Sequence, residues 1–415
     1  MLRRTGKYEL QTREKAAEPY RYKIRWGRIA IVPALILVMF LAIRFFPSCS
    51  TVAKEPVIED EITVEYILPR TASNKVGDPE IGYIPRDTLQ PLNIEPIAFT
   101  YDGDIIDVTI PRDYRGDPTV GQSCLVDYNN RKVIWSYHGN EEGQIASMTK
   151  MMLMFATYAL VDSGVICLYD TVDVSDEAPL MGGSQAYLDR GERYTVAQLM
   201  TAVAVCSAND AAYLLAQYLG DIHDSTGVYG GIRLINEFGT RLGLRRTKIF
   251  NAHGLPPARS WNRGLGDGVA IQKYKGRDMV VAMEANRSTP IEMAKVGIAF
   301  CQYPRLLLYT NILRGDLWDA DSSRHFGPYK MNNHFKPIRR ADVDGIKTGY
   351  TRGAGFCVTA SAERSGQRLI AVVFGAKSQD IRDKFIVQLC ETAFDSLGIP
   401  IDTIPDDTTT IELES

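Results

Sequence analysis

Two pairs of strand-like segments lie at opposite ends of a helical stretch, and this order constrains the fold more than any other sequence feature. Apolar and polar residues alternate over 123–127 and 132–138 around a Tyr-Asn-Asn-Arg turn, and strand patterns return over 356–362 and 369–375 around Arg-Ser-Gly. Helical spacing of apolar residues is found between and after them, at 148–163, 196–219, 231–242, 290–302 and 380–397. The order predicts an α+β domain whose terminal segments meet in one antiparallel sheet, flanked by a helical region.

The bulk composition limits the number of domains and the kinds of partner. The chain has 415 residues, 45% of them hydrophobic and 23% charged, which suffices for one large domain or two ordinary ones. Its net charge of -3 lacks the positive excess that nucleic-acid binding needs, so no nucleic-acid partner is predicted. Five histidines lie far apart and seven cysteines form no CxxC pair. We therefore predict no metal and no cofactor, and expect most cysteines to be buried apolar residues.

The N-terminal segment has the pattern of a membrane anchor. Residues 1–28 hold nine Lys or Arg against three Asp or Glu, and 29–46 form an apolar run whose only charge is Arg44. Such a run nearly spans a hydrocarbon core, and its basic flank stays cytoplasmic. We predict an uncleaved, single-pass transmembrane signal anchor in the cytoplasmic membrane, with the rest of the chain on the outer side. A buried core helix is the alternative, and lipidation of Cys49 stays open.

Composition also divides the rest of the chain. Residues 47–95 contain six prolines and few aromatic residues, which predicts an extended spacer. The globular pattern covers 96–400. Residues 401–415 hold five acidic and no basic side chains, which predicts a disordered tail.

The motif SMTK at 147–150 places a lysine one helical turn after a serine. Ser147 precedes the predicted helix 148–163, so it lies at a helix N-terminus and shares a helix face with Lys150. A serine hydroxyl is a poor nucleophile unless a neighbouring base accepts its proton. Lysine can be that base when burial, the helix dipole or a second cation lowers its pKa. The alternative is an N-cap serine followed by a solvated lysine.

The motif SAN at 207–209 separates an apolar helical stretch from an alanine-rich one. From a short turn, Ser207 can relay a proton to a leaving amine while Asn209 hydrogen-bonds a substrate backbone. The alternative is a polar turn that only joins two helices.

The motif KTG at 347–349 comes shortly before a predicted strand. A lysine and a threonine hydroxyl at a strand edge suit a terminal carboxylate, which predicts that role for Lys347 and Thr348. Gly349 would let a substrate backbone approach closely. The alternative is a hairpin strand with one exposed lysine.

These motifs belong to five sequence blocks in fixed order. The blocks are ASMTK at 146–150, GERYT at 191–195, SANDAA at 207–212, NAHGLP at 251–256 and DGIKTGYT at 344–351. Together they resemble the D-alanyl-D-alanine carboxypeptidase family, the low-molecular-mass penicillin-binding proteins of the penicillin-binding protein and serine β-lactamase superfamily. The resemblance covers about 117–397 and implies a β-lactamase/transpeptidase-like fold.

The resemblance implies a serine peptidase that trims peptidoglycan stem peptides ending in D-Ala-D-Ala and is inhibited by β-lactam antibiotics. It implies acylation of Ser147, with Lys150 as the base and Ser207 as the proton relay. The substrate site would contain Asn209, Lys347, Thr348, Gly349 and Tyr350. The backbone N–H groups of Ser147 and Tyr350 would form the oxyanion hole, and the ring of His253 is expected to be structural.

Two other functions are compatible with the pattern, and a third is disfavoured. A D,D-endopeptidase that cuts peptidoglycan cross-links would use the same motifs, and a catalytically silent wall-binding scaffold would keep the fold. A class A β-lactamase is disfavoured because no E-x-x-L-N pattern lies between the second and third motifs.

Residues 258–287 are an extra stretch relative to the family, with six Lys or Arg against three Asp or Glu. This insertion is predicted either to line the substrate groove or to be a tolerated surface loop.

Overall fold

A computed structural model describes residues 94–317, 329–340 and 342–399. The predicted segments 1–28, 29–46 and 401–415 lie outside the described residues, as does nearly all of the spacer 47–95. Within the described ranges, no helix is both long and apolar enough to cross a membrane.

The described elements follow the predicted order of strands, helices and strands. The helices are α1 (Thr149–Asp162), α2 (Val196–Val205), α3 (Asn209–Asp224), α4 (Val228–Arg241), α5 (Pro290–Cys301), α6 (Pro304–Thr310) and α7 (Gln379–Ser396). The first nine strands are β1 (Gln122–Asp127), β2 (Lys132–Tyr137), β3 (Gly143–Gln144), β4 (Thr171–Asp173), β5 (Arg193–Thr195), β6 (Arg263–Gly266), β7 (Val269–Tyr274), β8 (Arg277–Ala282) and β9 (Arg287–Ser288). The remaining strands are β10 (Arg314–Leu317), β11 (Tyr329–Asn332), β12 (Val343–Thr351), β13 (Gly355–Arg364) and β14 (Gln367–Ala376).

The main sheet joins both ends of the domain, as the sequence predicts. Its strand order is β12-β13-β14-β1-β2, and all four pairings are antiparallel. Both predicted hairpins, β1–β2 and β13–β14, are present. The α+β prediction is therefore confirmed, and β12 becomes an edge strand of the sheet.

Each face of the sheet is covered by its own apolar core. Along β14, Ile370, Val372 and Phe374 join the core shared with most of the helices, while the alternate residues join a second core with α7. This two-residue alternation is what a strand buried on both faces requires. Helix α1 is mostly apolar and is buried on nearly all sides in the first core, with Lys150 in its first turn. The six described cysteines are free, and five of them are buried.

The predicted helix 196–219 is wrong as one continuous element. The chain leaves α2 after Val205 and enters α3 at Asn209, and Ser207 between them has a φ of 58°. A left-handed backbone cannot continue an α-helix, and helical periodicity on both sides hides such a break from an analysis of periodicity, although the SAN motif was expected to form a short turn here.

The insertion 258–287 is a small folded sheet and not an irregular loop. Strands β6, β7 and β8 pair in that order, and Val269 and Met279 are buried in the first core. The tip turns through Lys275 and Gly276, both with positive φ. An ion pair of 2.5 Å between Arg277 Nη2 and Asp176 Oδ2 ties the tip to the segment that precedes β5.

Candidate active site

The start of α1 brings the predicted nucleophile and base together. Ser147 lies in a 3-10 turn, Ala146–Met148, that leads directly into α1, and Lys150 follows in the first turn of the helix. The Lys150 Nζ is 3.0 Å from Ser147 Oγ. Lys150 is fully buried, whereas Ser147 is partly exposed. A solvated lysine behind an N-cap serine is therefore excluded.

Two acceptors hold the Lys150 amine against the serine. Its Nζ lies 2.7 Å from Asn209 Oδ1 and 2.7 Å from the backbone carbonyl oxygen of His253. A neutral amine has two N–H donors and one lone pair. When both N–H groups are given to these acceptors, the lone pair faces Ser147 Oγ, which is the orientation that proton abstraction needs.

Electrostatics favour the neutral form of this amine. Burial lowers the pKa of Lys150 well below its ordinary value, and the positive charge of Lys347 lowers it further. Cys206 and Asp210 act in the opposite direction but do not restore the ordinary pKa. Burial and a second cation were two of the conditions under which the sequence predicts a lysine base.

Asn209 is fixed by the segment that precedes β5. Its Nδ2 donates to the carbonyl of Gly182 at 2.6 Å, and its backbone N–H donates to Ser184 O at 2.7 Å. A Cβ on Gly183 would lie 2.7 Å from Asn209 Nδ2, so a side chain there would displace the carboxamide. The segment 182–184 therefore fits closely around Asn209.

Asp210 supports the same segment and was missed by the sequence reading. Its buried carboxylate accepts the backbone N–H groups of Ala186 and Leu188 at 3.0 and 3.1 Å. The available signal was its place in the SANDAA block, directly after Asn209.

Ser207 lies in the break between α2 and α3 and is 6% exposed. In the described residues, the hydrogen bonds of the Lys150 amine go to Ser147, Asn209 and His253, and Ser207 is not among them. Its proton-relay role stays a prediction.

The third motif forms part of the edge strand β12, beside the turn that holds Ser147. A Cβ on Gly349 would lie 2.7 Å from Ile145 O and 3.0 Å from Ser147 N, so only glycine lets the strand come this near. In the structure, Gly349 thus lets the strand approach the turn that holds Ser147, and the approach of a substrate backbone stays a prediction. Tyr350 is exposed, and its ring lies 4.3 Å from that of Phe356.

Comparison with known proteins identifies this arrangement. The sequence model of the D-alanyl-D-alanine carboxypeptidase family matches residues 115–378, more than half of the chain. The chain belongs to the D-alanyl-D-alanine carboxypeptidase family. D-alanyl-D-alanine carboxypeptidase DacF of Bacillus subtilis is 29% identical over 272 residues, which cover 66% of this chain and 61% of DacF. DacC of Escherichia coli is 29% identical over 266 residues, 62% of this chain and 57% of DacC.

The chain spans about 60% of the length of these curated relatives. Among solved structures, penicillin-binding protein D2 of Listeria monocytogenes in its cefotaxime-bound form superposes with a TM-score of 0.52 at 22% identity. The superposition covers 68% of this chain and 99% of that one. The domain therefore has the penicillin-binding protein/transpeptidase-like α+β fold that the sequence predicts.

Lys347 of this family member is a buried cation and not an exposed hairpin lysine. It is 4% exposed, and its Nζ donates to Thr348 O at 3.2 Å. Burial lowers its pKa to about 7; Cys206 opposes the shift and Arg382 adds to it. The amine therefore changes its charge near neutral pH. Thr348 is 7% exposed and lies next to it on the strand.

His253 contributes a backbone atom and not its ring. Burial, with a smaller effect of the Lys150 charge, lowers the pKa of the ring to about 3, so the ring is neutral at physiological pH. Its Nδ1 accepts the Leu255 N–H at 3.2 Å, whereas its carbonyl oxygen contacts Lys150 Nζ and, at 3.3 Å, Ser147 Oγ. The NAHGLP block marks this turn in the sequence, but no pattern of side chains predicts which backbone carbonyl of the turn accepts a hydrogen bond.

No group of His, Cys, Asp or Glu in the described part of the chain could hold a metal ion.

Proposed function

We propose that this protein is a serine-type D-Ala-D-Ala carboxypeptidase that shortens peptidoglycan stem peptides through an acyl-enzyme on Ser147. The observation that carries the proposal is the fully buried Lys150 amine, 3.0 Å from Ser147 Oγ and held by two further acceptors. A desolvated lysine of lowered pKa can accept the proton of the serine hydroxyl that it faces, and this makes the serine an activated nucleophile. Family membership supports the same substrate class.

In the proposed acylation step, Ser147 Oγ attacks the carbonyl carbon between the two D-alanines as its proton passes to Lys150. The oxyanion would accept hydrogen bonds from the backbone N–H groups of Ser147 and Tyr350. Such preorganised donors are worth about 3–4 kcal/mol each in related chemistry. The C–N bond then breaks, and the leaving D-alanine amine takes up the proton, relayed through Ser207. Water hydrolyses the ester, which releases the shortened stem and regenerates Ser147.

The substrate's terminal carboxylate would bind at β12. Lys347 supplies the positive charge, and the Thr348 hydroxyl supplies a second donor beside it. The same pair would receive the carboxylate of a β-lactam, whose strained amide acylates Ser147 in place of the peptide bond. Cefotaxime is bound in the penicillin-binding protein D2 structure, which supports β-lactam binding here.

The proposal is tested with a fluorescent penicillin and a pentapeptide that ends in D-Ala-D-Ala. Wild type should be labelled covalently and release D-alanine, and Ser147→Ala and Lys150→Ala should do neither. Ser163→Ala, which changes a serine at the far end of α1, is the matched control and should behave as wild type. Absence of label on wild type would favour the silent scaffold. Label with cleavage of cross-linked muropeptide dimers but no D-alanine release would favour the endopeptidase.

We further propose that residues 29–46 anchor the enzyme in the cytoplasmic membrane, with the catalytic domain on the outer side. The basic excess of 1–28 supports this orientation, and the proposed wall substrate lies on that side. Fractionation of cells that express the full chain, against a chain beginning at residue 47, measures the attachment. Recovery of the full chain outside the membrane fraction would contradict it.

A further inference from the structure

A buried carboxamide at the end of the insertion bonds to both sides of the Lys150 site. Asn286 is 3% exposed and lies just before β9. Its Nδ2 donates to Thr149 Oγ1 at 2.8 Å and to Asn251 O at 2.8 Å, and its Oδ1 accepts the N–H groups of Phe250 and Asn251 at 2.7 and 3.2 Å. The carboxamide thus uses both its donors and its acceptor fully.

These bonds connect the two elements between which the Lys150 amine is held. Thr149 precedes Lys150 at the start of α1, and its hydroxyl donates to Ala146 O at 2.8 Å, which leaves its oxygen to accept from Asn286. The Asn251 backbone begins the turn whose carbonyl at His253 receives the Lys150 amine. Ser147 and Lys150 bond the His253 carbonyl themselves, and among the described side chains the Asn286 carboxamide is the further one that joins this turn to the start of α1.

Backbone bonds of Asn286 add a third connection. Its carbonyl accepts the N–H of Ile145, the residue that leads into the 3-10 turn of Ser147, at 3.3 Å. Asn286 therefore contacts the chain before the nucleophile, the chain before the base, and the turn that orients the base. The catalytic groups themselves are not among its hydrogen-bond partners.

The structure assigns to Asn286 the role of a positioning residue for the acylation step: it sets the distance between the His253 carbonyl and the start of α1. This inference rests on the proposed function of the same site. If the turn moves away, the Lys150 amine loses one acceptor and can rotate, so its lone pair no longer faces Ser147 Oγ. A displacement of about 1 Å in such a geometry costs on the order of 100-fold in rate.

The position of Asn286 also predicts what it does not affect. Its bonds reach the 145–149 region and the 250–251 turn, and none reaches Lys347 or Thr348 on β12. Loss of Asn286 should therefore slow acylation without weakening the noncovalent binding that precedes it. A residue that only stabilised the fold would not separate these two constants.

The test is stopped-flow acylation of the full-length protein by a fluorescent penicillin, which yields the initial binding constant and the acylation rate constant separately. Asn286→Ala and Thr149→Val should lower the rate constant about 10- to 100-fold and change the binding constant less than about twofold. Thr149→Ser keeps the hydroxyl and should restore most of the rate. The rate loss of the double variant should be smaller than the product of the two single losses, because both single variants remove the Asn286–Thr149 bond.

Asn236→Ala is the matched control. The Asn236 carboxamide also bonds three backbone groups, at Ile232 O, Ile249 O and Ile249 N, but lacks any bond to α1. It should lose stability and keep the acylation rate. If Asn286→Ala does not fold, the acylation rates of Thr149→Val and Thr149→Ser test the inference in its place. Wild-type rates in Asn286→Ala or Thr149→Val, or equal losses of binding and rate, would overturn the inference; absence of label on wild type would refute the proposed function instead.

Discussion

The residue that most directly couples this site to pH is Lys347. Its pKa of about 7 means that the amine is charged below neutral pH and loses its charge as the pH rises through 7. In the proposed function, the terminal carboxylate of the substrate would bind to the charged form of Lys347. We therefore predict that the KM for a D-Ala-D-Ala peptide is lowest below pH 7 and rises above it.

Lys347→Arg separates this effect from the titration of Lys150, because a guanidinium stays charged at every pH of the assay. The variant should show a KM that is flat between about pH 6 and 9, whatever its absolute value. Lys377→Arg, at an exposed lysine paired with Asp113, should keep the wild-type profile. A wild-type KM that does not change across pH 7 would contradict the assignment.

The side chains that meet around the Lys150 amine could be predicted from the sequence, and the groups that hold them in place could not. Ser147, Lys150 and Asn209 were found because the predicted nucleophile, the predicted base and the amide beside them lie in short motifs. The role of the His253 carbonyl was not predicted, because every residue has a backbone carbonyl. Asn286 was not, because its partners at Thr149 and Asn251 lie far away in the chain and its own neighbours form no pattern.

At the level of elements, the segment before β5 offers a sharp comparison between adjacent glycines. Gly183 has a φ of +75°, and a Cβ there would lie 2.7 Å from Asn209 Nδ2. A Cβ on Gly182 would have no atom within 4 Å. We predict that Gly183→Ala displaces Asn209, removes an acceptor from Lys150 and lowers the penicillin acylation rate about tenfold or more.

The penicillin acylation rate of Gly182→Ala should lie within about twofold of the wild-type rate, and both variants should melt cooperatively. Equal rates in the two variants would show that Asn209 does not depend on this segment.

Element boundaries were predictable where periodicity changed, and they failed where it did not. The starts of α5 and α7 agree with the predicted helices to within a residue because the N-capping residues Thr289 and Ser378 precede them. The break at Ser207 has apolar helical spacing on both sides, so periodicity alone predicted one helix, and only the SAN motif indicated a turn. The strands of the insertion were missed because they are short and partly charged.

At the scale of the whole molecule, the sheet was predictable because its strands are apolar runs bounded by turn residues, and their position at both ends of the domain left few ways to pair them. What joins the sheet to α7 was not predictable. Asp342, before β12, accepts from Arg340 and Arg364, and both arginines also pair with Glu391 on α7. These charges come from distant segments and form no local motif.

This cluster should make the stability of the domain depend on acid pH. Burial raises the pKa of Asp342, but the hydrogen bonds from Arg340 and Arg364 outweigh it and hold the pKa below the ordinary 3.8. A carboxylate with a lowered folded-state pKa stabilises the fold above its unfolded pKa, and this contribution is lost as the pH falls through the folded value.

Asp342→Asn should therefore lower the free energy of unfolding by about 1–2 kcal/mol at pH 7, as expected for hydrogen bonds to a partly buried charge. The difference from wild type should shrink as the pH falls below the ordinary 3.8, where wild-type Asp342 becomes protonated too. Urea unfolding at pH 7 and below pH 3.8 measures both values.

The control variant Asp102→Asn removes an ion pair with Lys132 in which Asp102 is 73% exposed, and it should lower the free energy of unfolding by about 0–1 kcal/mol. If the two variants lost the same stability at pH 7, the cluster would contribute no more than a surface pair, and α7 would be held to the sheet by its apolar face alone.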